Sequence, residues 1–163
     1  MNIAARPGAA APAVPFDAGR LDQLMEQAGI DVLLATSKHN TQYLLGGYRF
    51  IFFAAMDAIG HSRYLPVVVY ERGRPDSAAY VANRMEAGEH HNHPFWTPAF
   101  YPECWGTLDA AARAVAHLRK IGKATARIGI EPAFLPADAH RALSDGLEGA
   151  TLVDATGTMA RMR

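Results

Sequence analysis

The run Val32 to Thr36 is apolar on consecutive positions and too short for a helix. A segment of this kind reads as a strand buried on both faces, which requires a covering layer on each side of a sheet. What precedes it supplies one such layer. Asp17 is a good helix N-cap, and Leu21, Leu24, Met25 and Ala28 follow at the spacing of one helical stripe. Gly29 then sits where helices stop. Helix, glycine and doubly buried strand together make an α/β opening.

The rest of the chain continues the pattern. Ser37 to Leu45 reads as a turn and short helix, with Asn40 as its cap, broken by Gly46 and Gly47. Leu65 to Glu71, with three successive valines, is the strongest strand. Gly73 and Pro75 mark a hairpin-type connection to a returning strand at Ala78–Ala82, so this middle section is antiparallel. Arg84 to His93 is polar, a helix followed by a loop. Trp96 to Tyr101 is a strand that Pro98 confines to a sheet edge. Thr107 caps a helix with apolar Leu108, Ala111, Ala112, Val115 and Leu118, ended by Gly122. Ile128–Ile130 is a short strand, and Pro136 opens a helix with Ala139, Leu143 and Leu147 inward. Leu152 and Val153 form the last strand, and Thr156 begins a tail. The alternation predicts one α/β domain built on a mixed sheet flanked by helices.

At 163 residues with half of them hydrophobic, the chain has the material for a core. Its 16 basic and 16 acidic residues cancel, which speaks against a nucleic-acid partner. No apolar run approaches a membrane span. The single cysteine, Cys104, permits no intrachain disulfide, and the default compartment is the cytoplasm. Residues 1–16, rich in alanine and proline, read as a flexible leader and 17–163 as the domain.

Few residues advertise chemistry. Glu89, His90, His91 and His93 are metal-ligating types, but adjacent histidines do not point the same way on a regular element. The solvated loop is the preferred reading over a metal site. There is no nucleophile elbow and no phosphate-cradling glycine loop. Cys104, beside Trp105, reads as a packed thiol. The unusual stretch is Gly47 to Tyr64, which sets Arg49, His61 and Arg63 among aromatics. It fits either a surface that meets a carboxylate ligand or partner subunit, or a core hairpin with flanking charges. Phe50 to Phe53 are four consecutive apolar residues, so alternation turns one or two off the core face.

Two segments carry a resemblance. One runs from Arg20-Leu21 through Asp31-Val32-Leu33-Leu34-Ala35-Thr36-Ser37 to Asn40-Thr41-Gln42-Tyr43-Leu44-Leu45-Gly46-Gly47-Tyr48. The other is Arg127-Ile128-Gly129-Ile130-Glu131-Pro132, then Leu143 and Val153-Asp154-Ala155. Over residues 17 to 160 the chain resembles the N-terminal domain of the creatinase/prolidase/aminopeptidase P group. The resemblance implies a ribonuclease-H-like sheet flanked by helices. It also implies that catalysis belongs to a C-terminal pita-bread domain outside this sequence. There, two divalent metal ions are held by two Asp, one His and two Glu. No metal or other cofactor is expected in this chain, and no catalytic residue can be assigned in it. The implied role is non-catalytic: oligomer contacts, most simply with a second copy, and help in selecting substrate for a metal-dependent C–N hydrolase. The matching contact residues are Tyr48, Arg49, Phe52, Phe53, His61 and Arg63. The sequence departs here from the family's short hairpin, so a Xaa-Pro peptide, creatine or another small amide or amidine all stay open. The alternative is a free-standing binding or oligomerisation module with no enzymatic parent.

Overall fold

Alternation along the first strand sorts its side chains onto two faces: Val32 and Leu34 enter one apolar cluster, Leu33 and Ala35 the other. All four are fully buried, so both faces of this strand are covered. The computed structural model describes residues 12–51 and 64–163. Its elements in order are α1 (Ala18–Gln27), β1 (Val32–Ala35), α2 (Lys38–Leu44), β2 (Val67–Glu71), β3 (Arg74–Asn83), a 3-10 turn (Arg84–Glu86) and α3 (Glu89–Asn92). There follow β4 (Ala99–Cys104), α4 (Thr107–Lys120), β5 (Arg127–Ile130), a second 3-10 turn (Pro132–Phe134), α5 (Ala137–Gly146), β6 (Thr151–Asp154) and α6 (Thr156–Met162).

The described strands form one mixed sheet in the order β4-β3-β2-β1-β5-β6. β2 runs antiparallel to both β1 and β3, while β4, β5 and β6 pair in parallel with their neighbours. Ala110, Ala114 and Leu118 of α4 and Ala139 and Leu143 of α5 cover one face. Leu21 and Met25 of α1, Leu44 of α2 and Met159 and Met162 of α6 cover the other. The sheet is thus the middle of three layers.

Local signals explain most boundaries. The Asp17 side chain accepts the Arg20 N–H at 2.9 Å, and Gly29 ends the helix region with φ +64°. Gly46 takes φ +70°, and a Cβ there would lie 3.0 Å from Pro15, so the chain before α1 passes directly over this glycine. Phe16, placed in the leader from sequence, instead packs edge-on against Tyr70 and Trp96.

Several sequence expectations need correction. Ser37, not Asn40, caps α2; Asn40 is a buried residue inside the helix. The N-cap of α4 is Gly106, because the Thr107 hydroxyl is committed to Asp138 at 2.6 Å. On that helix the inward stripe is Ala110, Ala111, Ala114, Val115 and Leu118, which leaves Leu108 and Ala112 outside. β4 starts at Ala99 and does hold the sheet edge; Trp96 lies before it in the core, its indole N–H donating to the Leu44 carbonyl at 2.7 Å. The tail from Thr156 is a helix, since Ala155, Met159 and Met162 return one apolar stripe to the core.

Candidate functional site

The strand directions bring one set of connections to a single end of the sheet. The carboxyl ends of β1, β3, β4, β5 and β6 and the amino end of antiparallel β2 all lie there. The exposed large hydrophobic residues among those described lie there too. Met85 follows β3, Trp105 follows β4, Leu108 opens α4, and Phe134 follows β5. Ile51, 81% exposed, follows Phe50, whose ring packs 5.7 Å from Tyr64 just ahead of β2. The opposite end holds ion pairs: Arg72 with Glu26 and Asp31, Arg74 with Asp76, and Lys123 with Glu71. Arg113 pairs with Glu103 at the carboxyl end of β4, so the apolar end also carries an ion pair; what marks that end is its water-facing apolar cluster, as at an interaction surface.

A cleft of about 770 Å³ opens at this end, between the chain leaving β1 and the chain leaving β5. Thr36, Lys38 and His39 line one side, Phe134, Leu135 and Asp138 the other, with Leu65 between. This is where parallel strands diverge in α/β sheets. Its base is held by Glu131, which is fully buried. The carboxyl accepts the backbone N–H groups of Thr36 (2.7 Å) and Ser37 (2.9 Å) and the side-chain amide of Asn40. Glu131 thereby ties the end of β5 to the start of α2.

A second buried carboxyl, Glu86, organises the other side of this end. One of its oxygens accepts from Tyr64 (2.6 Å) and the Asn83 N–H (2.8 Å), the other from Tyr80 (2.6 Å) and Tyr48 (3.0 Å). Tyr48 and Tyr64 stand at the two ends of the connection between α2 and β2, so both of its stems meet Glu86. Burial pushes the phenols of Tyr48, Tyr64 and Tyr80 well above their ordinary range, and the adjacent carboxyl adds to this.

Of the residues singled out in the sequence, Tyr48 is half-buried, its ring set against Tyr80, Phe95 and His93. Arg49 is exposed beside it. Phe50 points inward and Ile51 outward, so consecutive residues do divide between core and surface. Phe52, Phe53, His61 and Arg63 lie outside the described residues. The histidines do not converge. His90 stacks on Phe95 and Phe100 and accepts the Phe95 N–H through Nδ1 at 3.3 Å, which corrects the solvated-loop reading for that residue. His91 and His93 are exposed. Among the described residues no group of three His, Cys, Asp or Glu side chains is placed to hold a metal ion. Cys104 is buried, and burial pushes its thiol up to about 12.

Glu86 and Glu131 escaped the reading for chemistry, although both left a trace. Asn83 and Glu86 have capping-box spacing, and the box is formed. Glu131 closes the motif Ile128-Gly129-Ile130-Glu131.

Comparison with known proteins places this geometry. The family model described as Creatinase/Prolidase N-terminal domain matches residues 18–163. No curated protein matches the sequence. Among solved structures, a Xaa-Pro dipeptidase from Bacillus anthracis is 15% identical with a TM-score of 0.64, over 90% of this chain and 34% of that one. The N-terminal domain of cytoplasmic peptidase PepQ from Mycobacterium tuberculosis H37Rv is 20% identical with a TM-score of 0.61, over 90% of this chain and 97% of that one. A Creatine_N superfamily domain of a dipeptidase from Streptococcus thermophilus is 14% identical with a TM-score of 0.65, over 90% and 97%. The chain therefore spans about a third of the full dipeptidase and nearly all of the separate N-terminal domains. No helix among the described residues is long and apolar enough to cross a membrane.

Proposed function

This chain belongs to the Creatinase/Prolidase N-terminal domain family, and on that premise we propose that it is the non-catalytic domain of a metal-dependent hydrolase of the Xaa-Pro peptidase or creatinase type. It works by contact: the end of the sheet that carries Ile51, Met85, Trp105 and Phe134 meets a second copy of the protein. Arg49 and the stems of the 48–64 connection then border the place where that copy's substrate sits. The observation that supports this reading most is the confinement of those exposed apolar side chains to one end of the sheet, beside the cleft. Burying one such side chain is worth roughly 1.5–3 kcal/mol, so two or three from each copy hold a weak dimer. An exposed arginine at the rim matches a carboxylate by its fork of N–H donors. The hydrolytic metals, the nucleophilic water and the acid–base groups come from a pita-bread domain, and the reading takes none of them from this chain.

The test is turnover by the purified chain. Xaa-Pro dipeptides and creatine, each with added manganese, cobalt or zinc, are expected to stay intact. Hydrolysis that a chelator abolishes and that survives re-purification overturns the reading.

A further inference from the structure

Proton counting around Glu86 leaves a gap. Tyr64 and Tyr80 each lie 2.6 Å from a different oxygen of the carboxyl, and their own hydroxyl oxygens are 2.9 Å apart. That makes three O···O contacts of hydrogen-bond length, arranged in a ring. Each phenol has one hydrogen. With Glu86 ionised, both hydrogens go to the carboxylate, and the Tyr64–Tyr80 contact is left with two oxygens facing each other and nothing between them. One further proton completes the ring. Glu86 then donates from the oxygen beside Tyr80, Tyr80 donates to Tyr64, and Tyr64 donates to the other oxygen of Glu86. The Asn83 N–H and Tyr48 contacts survive, because each oxygen retains a lone pair for them.

We propose that Glu86 holds a proton in the folded protein, and that this proton closes a hydrogen-bond ring with Tyr64 and Tyr80 that ties the Tyr64 stem of the 48–64 connection to the sheet. The surroundings agree. Glu86 is fully buried, and none of the ion pairs among the described residues includes it. Burial raises its affinity for a proton, and the hydrogen bonds from Tyr64, Tyr80, Asn83 and Tyr48 offset that only in part. Among the described residues, the facing titratable groups from other elements are Tyr48, Tyr64 and Tyr80. Glu89 and His93 reach the cluster only through Tyr48, and His90 only through the Phe95 and Phe100 rings. No lysine or arginine among them favours the ionised form.

A carboxyl whose folded affinity for protons exceeds its unfolded one stabilises fully below the unfolded value, 4.5. That contribution is lost as pH rises through the folded value. Each unit of difference is a tenfold change in the unfolding equilibrium. Glutamine mimics the protonated acid here. Its amide nitrogen, placed at the oxygen shared by Tyr80 and Tyr48, donates to both, and its carbonyl accepts from Tyr64 and Asn83.

The experiment is thermal melting of the full chain and of Glu86→Gln from pH 4.5 to pH 9, with infrared pH-difference spectra of both. Wild type is expected to lose stability with rising pH relative to Glu86→Gln. The variant should match it at low pH and exceed it at high pH. A protonated-carboxyl carbonyl band that titrates in wild type should be missing from the variant. Hydrogen exchange at 48–51 and 64–66, corrected for intrinsic base catalysis, should rise with pH in wild type alone. Glu86→Gln that is less stable at every pH or fails to fold, or a wild type without the band, overturns the proposal, since an ionised acceptor of four donors behaves that way. The inference concerns the face assigned above to partner contact but stands apart from that role: absence of a dimer leaves these observables unmoved.

Discussion

Glu131→Ala removes the acceptor on which the start of α2 depends. Three donors lose their partner: the backbone N–H groups of Thr36 and Ser37 and the side-chain amide of Asn40. All three residues are buried, so the donors do not simply turn to bulk water. Stranding one buried donor costs about 1–3 kcal/mol. The space left by the glutamate side chain is polar and can admit a water, which brings the sum toward its lower end, about 3–5 kcal/mol in total. For a domain of this size that is a fall in melting temperature of about 6–20 °C. Glu131→Gln separates acceptor from charge. Its carbonyl keeps both backbone bonds, and the Asn40 amide can turn so that its oxygen, which has no partner now, accepts from the new amide. What is lost is the charge-assisted part, about 1–2 kcal/mol. Urea unfolding of wild type and both variants measures all three, with the slope as a check that each stays two-state. An alanine variant within about 1 kcal/mol of wild type refutes the argument that this carboxyl caps α2 across the sheet. So does a glutamine variant as damaging as alanine.

Gly146→Ala gains helix propensity in α5, yet its Cβ would meet Val115 of α4 at 2.9 Å. Overpacking should win, with a net loss of about 1–2 kcal/mol in the same urea assay. Cys104 should resist alkylation at pH 8 in the native state and react at once in denaturant, because it is buried with its thiol at about 12. Burial depresses the proton affinity of His117, whose ring nitrogens meet Tyr101 (3.2 Å) and the Ser77 carbonyl (2.8 Å). Its contribution is therefore present above the unfolded value of 6.5 and is lost as pH falls through the folded one. His117→Gln should flatten that acid limb of a melting-temperature profile.

What the sequence made legible was what neighbouring residues decide. Val32 to Ala35, the valines of β2, the Asp17 cap and the stripe of α1 became the expected elements, because propensity, period and capping agree there. What it hid depends on distant partners. Asn40 reads as a cap until Glu131, 91 residues away, is brought to it by the pairing of β1 with β5. His90 reads as a solvated or metal-ligating histidine until Phe95 and Phe100 close around its ring. Met159 and Met162 make a helix of an apparent tail only because the core needs an apolar cover beside α1. The aromatic stretch after Gly47 announced itself as unusual, but its anchor did not. Glu86 lies beyond an intervening hairpin, and only the fold brings Tyr48, Tyr64 and Tyr80 to one carboxyl.

The contact role of the carboxyl end of the sheet is tested most directly by sedimentation velocity over a concentration series, comparing wild type with Ile51→Ser combined with Trp105→Ser. Ile51 is 81% exposed and Trp105 56%, so the monomer should lose only a few degrees of melting temperature. The account predicts concentration-dependent association in wild type and a monomer at every concentration in the double variant. A wild type that stays monomeric throughout, or a double variant that associates as wild type does, contradicts it.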